Sequence, residues 1–118
     1  MAYYISEENN LMRYDQGAII AYGSIYADKK PAILIKGAKD DAPVTKATTN
    51  VPDSSLKRRI VAIKNYSENE GVLATLVNAG IVAPLIAMNQ GHATIDYVFI
   101  LDDTIIEDIK EALEERGS

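Results

Sequence analysis

The sequence predicts an α+β fold: a mixed, mostly antiparallel sheet of five to seven strands with two helices packed on it. Three observations predict it. Short apolar runs rich in Ile, Val and Tyr recur at 18–26, 31–36, 58–64, 82–88 and 93–101. Two amphipathic stretches of helical period follow, one ending at Gly80 and one starting at Asp103 or Thr104. Polar turns rather than linkers separate these segments, and no internal repeat is present, so 1–118 reads as one domain whose C-terminal half has the order β-α-β-β-α.

The first fifteen residues are expected to form a hairpin. Tyr3-Tyr4-Ile5 pairs with Leu11-Met12-Arg13-Tyr14 across Glu7-Glu8-Asn9-Asn10, and the alternative is a short helix capped by Ser6. Residues 18–26 and 31–36 form the clearest strand pair, with Ala27-Asp28-Lys29-Lys30 as the connector and Pro31 at a strand start. A symmetric register sets Tyr22 opposite Ile35, Ser24 opposite Ile33 and Ile25 opposite Ala32. Gly23 marks a bulge or a close backbone approach. Residues 37–57 are looser, with an edge strand at Val44–Thr49 between two loops, and are the expected place for a mobile, functional segment.

Residues 58–64 run into the first helix, expected over 68–79. Ser67 and Glu70 match the S-x-x-E capping box, Val72, Leu73, Leu76 and Val77 form its apolar stripe, and Gly80 ends it in a Schellman turn with Ile81 packed on Leu76. Residues 82–88 and 93–101 read as a hairpin across Asn89-Gln90-Gly91-His92, with Ile95, Tyr97, Phe99 and Leu101 on one face. In the last helix Ile105, Ile106, Ile109, Ala112 and Leu113 are the buried stripe, while Glu107, Asp108, Glu111, Glu114 and Glu115 face water.

Composition narrows the function classes. The chain has 118 residues, 47% hydrophobic and 25% charged. It can bury a core of its own without disulfides or metal, and collagen-like, disordered and disulfide-scaffold classes are excluded. The longest apolar run, Gly80–Met88, is broken by Pro84 and falls far short of the roughly 20 residues a membrane span needs. No secretory signal is visible and there is no cysteine, so a cytoplasmic site is expected. Charge is uneven. Residues 1–66 carry a net +3 and residues 67–118 a net −8, for −5 in all. A net-acidic chain is a poor partner for duplex nucleic acid.

Chemistry-bearing residues are sparse. His92 is the sole histidine, so a His-based metal cluster has no basis, and without cysteine there is no soft-ligand zinc site. With Asp96, Lys36 and Tyr22 it forms the candidate acid-base set of a small enzyme whose pocket would lie between the sheet and the 37–57 loops. The simpler reading of His92 is an exposed turn residue. Asp102 and Asp103 are candidate Mg²⁺ ligands, or else residues that start the last helix. No phosphate-cradling glycine motif is present, the strand-to-helix turn at Asn65–Gly71 is already occupied by Glu68 and Glu70, and no cofactor is expected. Lys57, Arg58, Arg59, Lys64 and Tyr66 are candidates for a single-stranded RNA face, with edge-blunting charges as the alternative.

The distinguishing feature is a surplus of apolar strand surface. Strands 18–26, 31–36, 58–64 and 82–88 are apolar on both faces, and two helices cover about one face of such a sheet. The N-terminal segment and the 37–57 loops, an enclosed ligand pocket, or another copy of the chain must cover the rest. The expectation is a homo-oligomer: a small binding or assembly module associating through a sheet face or edge, without chemistry of its own.

Overall fold

The computed structural model describes residues 3–90 and 93–117. The order of elements is β1 (Tyr3–Ile5), β2 (Ile19–Ile25), β3 (Pro31–Gly37), β4 (Pro43–Lys46), β5 (Thr48–Thr49), β6 (Ile60–Lys64), α1 (Val72–Asn78), β7 (Val82–Gln90), β8 (Ala93–Ile100) and α2 (Asp103–Gly117). The fold is α+β, with the β-α-β-β-α order in its C-terminal half. No helix among the described residues is long and apolar enough to cross a membrane.

The strands divide into two four-stranded sheets, β1-β2-β3-β4 and β5-β6-β8-β7, paired antiparallel throughout. The crossover from β6 through α1 to β7 leaves those two strands parallel, but β8 returns between them. The segment expected as an edge strand is instead the seam between the sheets. β4 pairs with β3 and β5 with β6. Ala47, between them, donates its N–H to the Ile33 carbonyl at 2.9 Å and accepts the Lys64 N–H at 2.9 Å. One chain segment thus hands the ladder from one sheet to the other, as at the corner of a sandwich.

Both sheets and both helices close on one core. It includes Ile19, Ala21, Ile33 and Ile35 from the first sheet, Val61, Ile63, Val98 and Ile100 from the second, Val72 and Leu76 from α1, and Ile105 and Ile109 from α2. A second, smaller cluster lies on the other side of β6 and β8, where Val51 from the preceding loop covers Ala62, Ile95 and Tyr97. Most of the apolar strand surface is therefore shielded within one chain, by the bending of the sheets and by that loop.

Several local expectations are corrected. β1 pairs with β2, not with residues 11–14, because Tyr3 and Ile5 stand opposite Ala21 and Ile19. Residues Glu7–Asn9 form a 3-10 turn without a Ser6 side-chain cap. The β2–β3 register is one residue off the symmetric one: Tyr22 faces Leu34, Gly23 faces Ile33 and Ser24 faces Ala32. This places Ile19, Ala21, Gly23 and Ile25 on the buried face with Ile33 and Ile35. The turn that sets it is held by Tyr26 and Lys30, whose N–H and C=O bond at 2.9 Å.

The capping box at Ser67 and Glu70 does not form. Residues Ser67–Asn69 make a 3-10 turn with Ser67 at φ +55°, and α1 begins only after Gly71, at φ +95°. Its first turn is satisfied instead by the Asn65 side-chain carbonyl, which accepts the Leu73 N–H at 3.2 Å. Backbone from the N-terminal segment crosses here. The Glu70 carbonyl accepts the Arg13 N–H and the Thr75 hydroxyl accepts the Leu11 N–H, both at 2.9 Å. A Cβ at Gly71 would overlap the Leu11 carbonyl, so glycine is required by crowding as well as by φ. Thr75 is consequently buried and Val77 exposed, contrary to the stripe expected. The Schellman ending holds, with Ile81 N–H on the Leu76 carbonyl and Gly80 N–H on the Val77 carbonyl, both at 3.0 Å.

In α2, Asp102 is the cap. Its carboxylate accepts the Thr104 N–H at 2.7 Å and the Ile105 N–H at 3.3 Å. Ile105, Ile106 and Ile109 are buried as expected, and so is Asp108, which was expected to face water. Gly23 explains it. Its N–H donates to the Asp108 carboxylate at 3.2 Å, and a Cβ there would overlap the Ile105 carbonyl. Arg116 donates to the Ile25 carbonyl at 3.1 Å. The described part of β1 pairs with β2 from Ile19 to Ala21, and beyond it α2 lies along β2, bonding to backbone groups of Gly23 and Ile25.

Candidate functional site

Sheet edges are where an antiparallel fold offers unmet backbone hydrogen bonds. The first sheet closes its own. Among the described residues β1 spans three, α2 bonds to β2 beyond them, and β4 continues into the second sheet. The second sheet ends on β7, nine residues long, with β8 on one side and no strand on the other among the described residues.

The side chains of this edge are apolar and open. Leu85 is 53% exposed, Ile86 61% and Met88 46%. Register explains which way they point. Ile86 stands opposite Tyr97 and Met88 opposite Ile95, so both extend the face whose inner part Val51 covers. Leu85 sits at a register shift between Pro84 and Ile86, a bulge that displaces it from the ladder. Pro84 and the bulge blunt the start of the strand. Ile86 to Gln90 carries neither proline nor charge, and no lysine guards it.

The acid-base candidates are distributed over both sheets. Tyr22 and Lys36 come together on β2 and β3, the ammonium 5.2 Å from the ring centre, and line an open groove of 390 Å³ against Glu111, Glu115 and Arg116 of α2. That groove faces α2 rather than the 37–57 loops. The Lys36 ammonium is bound to Asp41 at 2.7 Å, which raises its pKa and keeps it charged. Asp96 stands in the second sheet, between Ile63 and Ala87, and burial raises its pKa. His92 lies outside the described residues.

Asp102 and Asp103 have structural partners: the first caps α2, and the second pairs with Arg59 at 2.9 Å. No group of metal-ligating residues large enough to hold an ion occurs among the described residues. The basic candidates separate to opposite ends of β6. Lys57 and Arg58 are exposed in the turn before it, and Arg59 is held there by Asp103, by the Leu101 carbonyl at 3.1 Å and over the Phe99 ring. At the far end Lys64 pairs with Glu68 at 3.0 Å and lies over Tyr66.

Two features were not singled out from sequence. Asn69, wholly buried, accepts the Thr45 hydroxyl and donates to the Lys46 carbonyl at 2.8 Å, tying the turn before α1 to β4. The open edge itself is signalled only by its neutral run Pro84–Asn89, which the apolar pattern does not distinguish from a buried strand.

No protein-family model matches the chain, and no curated protein and no solved structure matches it.

Proposed function

We propose that the protein is a cytoplasmic assembly module that associates with a second copy of itself through the β7 edge. The observation that carries this reading is the uncovered strand with Leu85, Ile86 and Met88 in water. Among the described residues the remaining strand edges are short, covered or joined, so β7 is the longest open edge and carries most of the exposed apolar strand side chains. Contiguous exposed apolar surface on a sheet edge marks an interaction site. A second copy fits it by charge. The chain is net −5, and a neutral strand meets its own copy without repulsion. The absence of cysteine agrees with a reducing compartment.

The enzyme reading has less support, since Tyr22 and Lys36 stand in one sheet and Asp96 in the other. The RNA reading is weakened by the ion pair that holds Arg59 and by the separation of Lys57, Arg58 and Arg59 from Lys64 and Tyr66 along β6.

Sedimentation tests the proposal. The chain is expected at twice its 12.9 kDa mass, and Ile86→Lys, at a site already open to solvent, is expected to sediment as a folded monomer. A wild-type monomer, or a dimer indifferent to Ile86→Lys and Met88→Lys together, would refute it.

A further inference from the structure

At the opposite edge of the second sheet, three strands from β7, the seam between the sheets forms a polar hollow of 350 Å³ lined by residues that include Tyr26, Lys46, Thr49, Asn50, Lys64 and Glu68. We propose that this hollow is a binding site for a small phosphorylated ligand, held by Lys46 and Lys64.

Four observations support it. First, Lys46 and Lys64 both line the hollow, in a chain whose net charge is −5. Lys46 has no carboxylate within ion-pair distance among the described residues, and its ammonium rests 5.0 Å from the Tyr26 ring centre. Second, both lysines are already restrained on aromatic rings, since Lys64 lies 5.6 Å from Tyr66. An arriving anion therefore orders less side-chain freedom than it would at a free lysine. Third, the wall is tied together by hydrogen bonds. Thr48 is buried at the seam, its hydroxyl 2.7 Å from that of Tyr26 and accepting the Ile33 N–H at 3.2 Å. Fourth, the size falls at the small end of ligand pockets.

A lining that holds two lysines and a threonine offers the donors that suit a phosphate group, which presents several charged acceptor oxygens at once. Glu68, the one carboxylate among these six residues, is bound to Lys64 and so competes for it. Asp28, nearby, is held by the Asn50 amide at 2.9 Å. The competition gives the site a signature: removing Glu68 strengthens an anion's hold, while removing either lysine weakens it.

The test is a titration of isotope-labelled protein with inorganic phosphate and, separately, ribose 5-phosphate, at constant ionic strength and read by amide shifts. Saturable shifts are expected at residues 45–50 and 64–68. Lys46→Gln and Lys64→Gln are each expected to weaken binding about tenfold and Glu68→Gln to tighten it severalfold. Tighter binding of ribose 5-phosphate assigns the site to a phosphate ester, and equal binding to the free ion; either supports the proposal. Shifts that never saturate, that spread over all surface lysines, or that ignore the lysine variants would overturn it. The readout is independent of oligomeric state, so the result stands apart from that for the β7 edge.

Discussion

Asp96 sits in the middle of the second sheet, with Ile63 on one side and Ala87 on the other. Burial raises its pKa above the ordinary aspartate value. The folded chain therefore binds that proton more tightly than the unfolded chain does. Stability falls as pH rises from the ordinary aspartate value through the raised one, and the loss is complete above it. Asp96→Asn is expected to stabilise the protein at pH 7 by at most about 1 kcal/mol, a figure kept small because the group is partly solvated. The gain is expected to disappear on acidification below the ordinary aspartate range. Thermal melts across pH check this, and an equal gain at low and neutral pH would show that the charge is not the cause. That Asp96 shares its register position with apolar partners is visible only once strands are paired. Asp108 teaches the same lesson: period alone puts it with the wet glutamates, and the Gly23 amide 85 positions away draws it inside.

Among the elements, β2, β3, β6, the β7–β8 hairpin and α2 are legible in the sequence, because each has a strong apolar period bounded by polar turns. The start of α1 is not. Ser67 and Glu70 have the right spacing for a capping box, but the motif is local and its competitors are distant. Leu11 and Arg13 bring backbone across the turn, and Gly71 rather than Ser67 becomes the entry to the helix. The strand at 44–49 is legible as an edge strand and not as a seam, since nothing in its composition records that it serves two sheets. Gly23 was legible as a point of close approach, although not as the seat of α2. Gly23→Ala is expected to destabilise the fold by about 1–3 kcal/mol, because the added carbon must push α2 off the β2 edge. Denaturant unfolding measures it, together with faster amide exchange in α2. Wild-type stability would mean that the helix is not seated there.

For the whole molecule, the arithmetic of apolar surface changes character between sequence and structure. Counting apolar strand faces against two helices suggests a broad uncovered sheet. The chain covers most of it by bending one sheet over the other and by folding Val51 and the N-terminal segment onto what is left. What survives on the strands is narrow and directional: besides Tyr4 on β1, the exposed large apolar strand side chains among the described residues are Leu85, Ile86 and Met88, on the neutral β7 edge. A self-complementary edge of that kind is a starting point for paired sheets, and without a partner it is a liability. The candidate site was thus legible in kind, a sheet face or edge, but not in place. The direct measurement is amide hydrogen exchange along β7 in dilute and concentrated protein. The β7 amides that point away from β8 are expected to exchange slowly at high concentration and rapidly on dilution or in Ile86→Lys. Exchange that is fast and independent of concentration would contradict pairing at this edge.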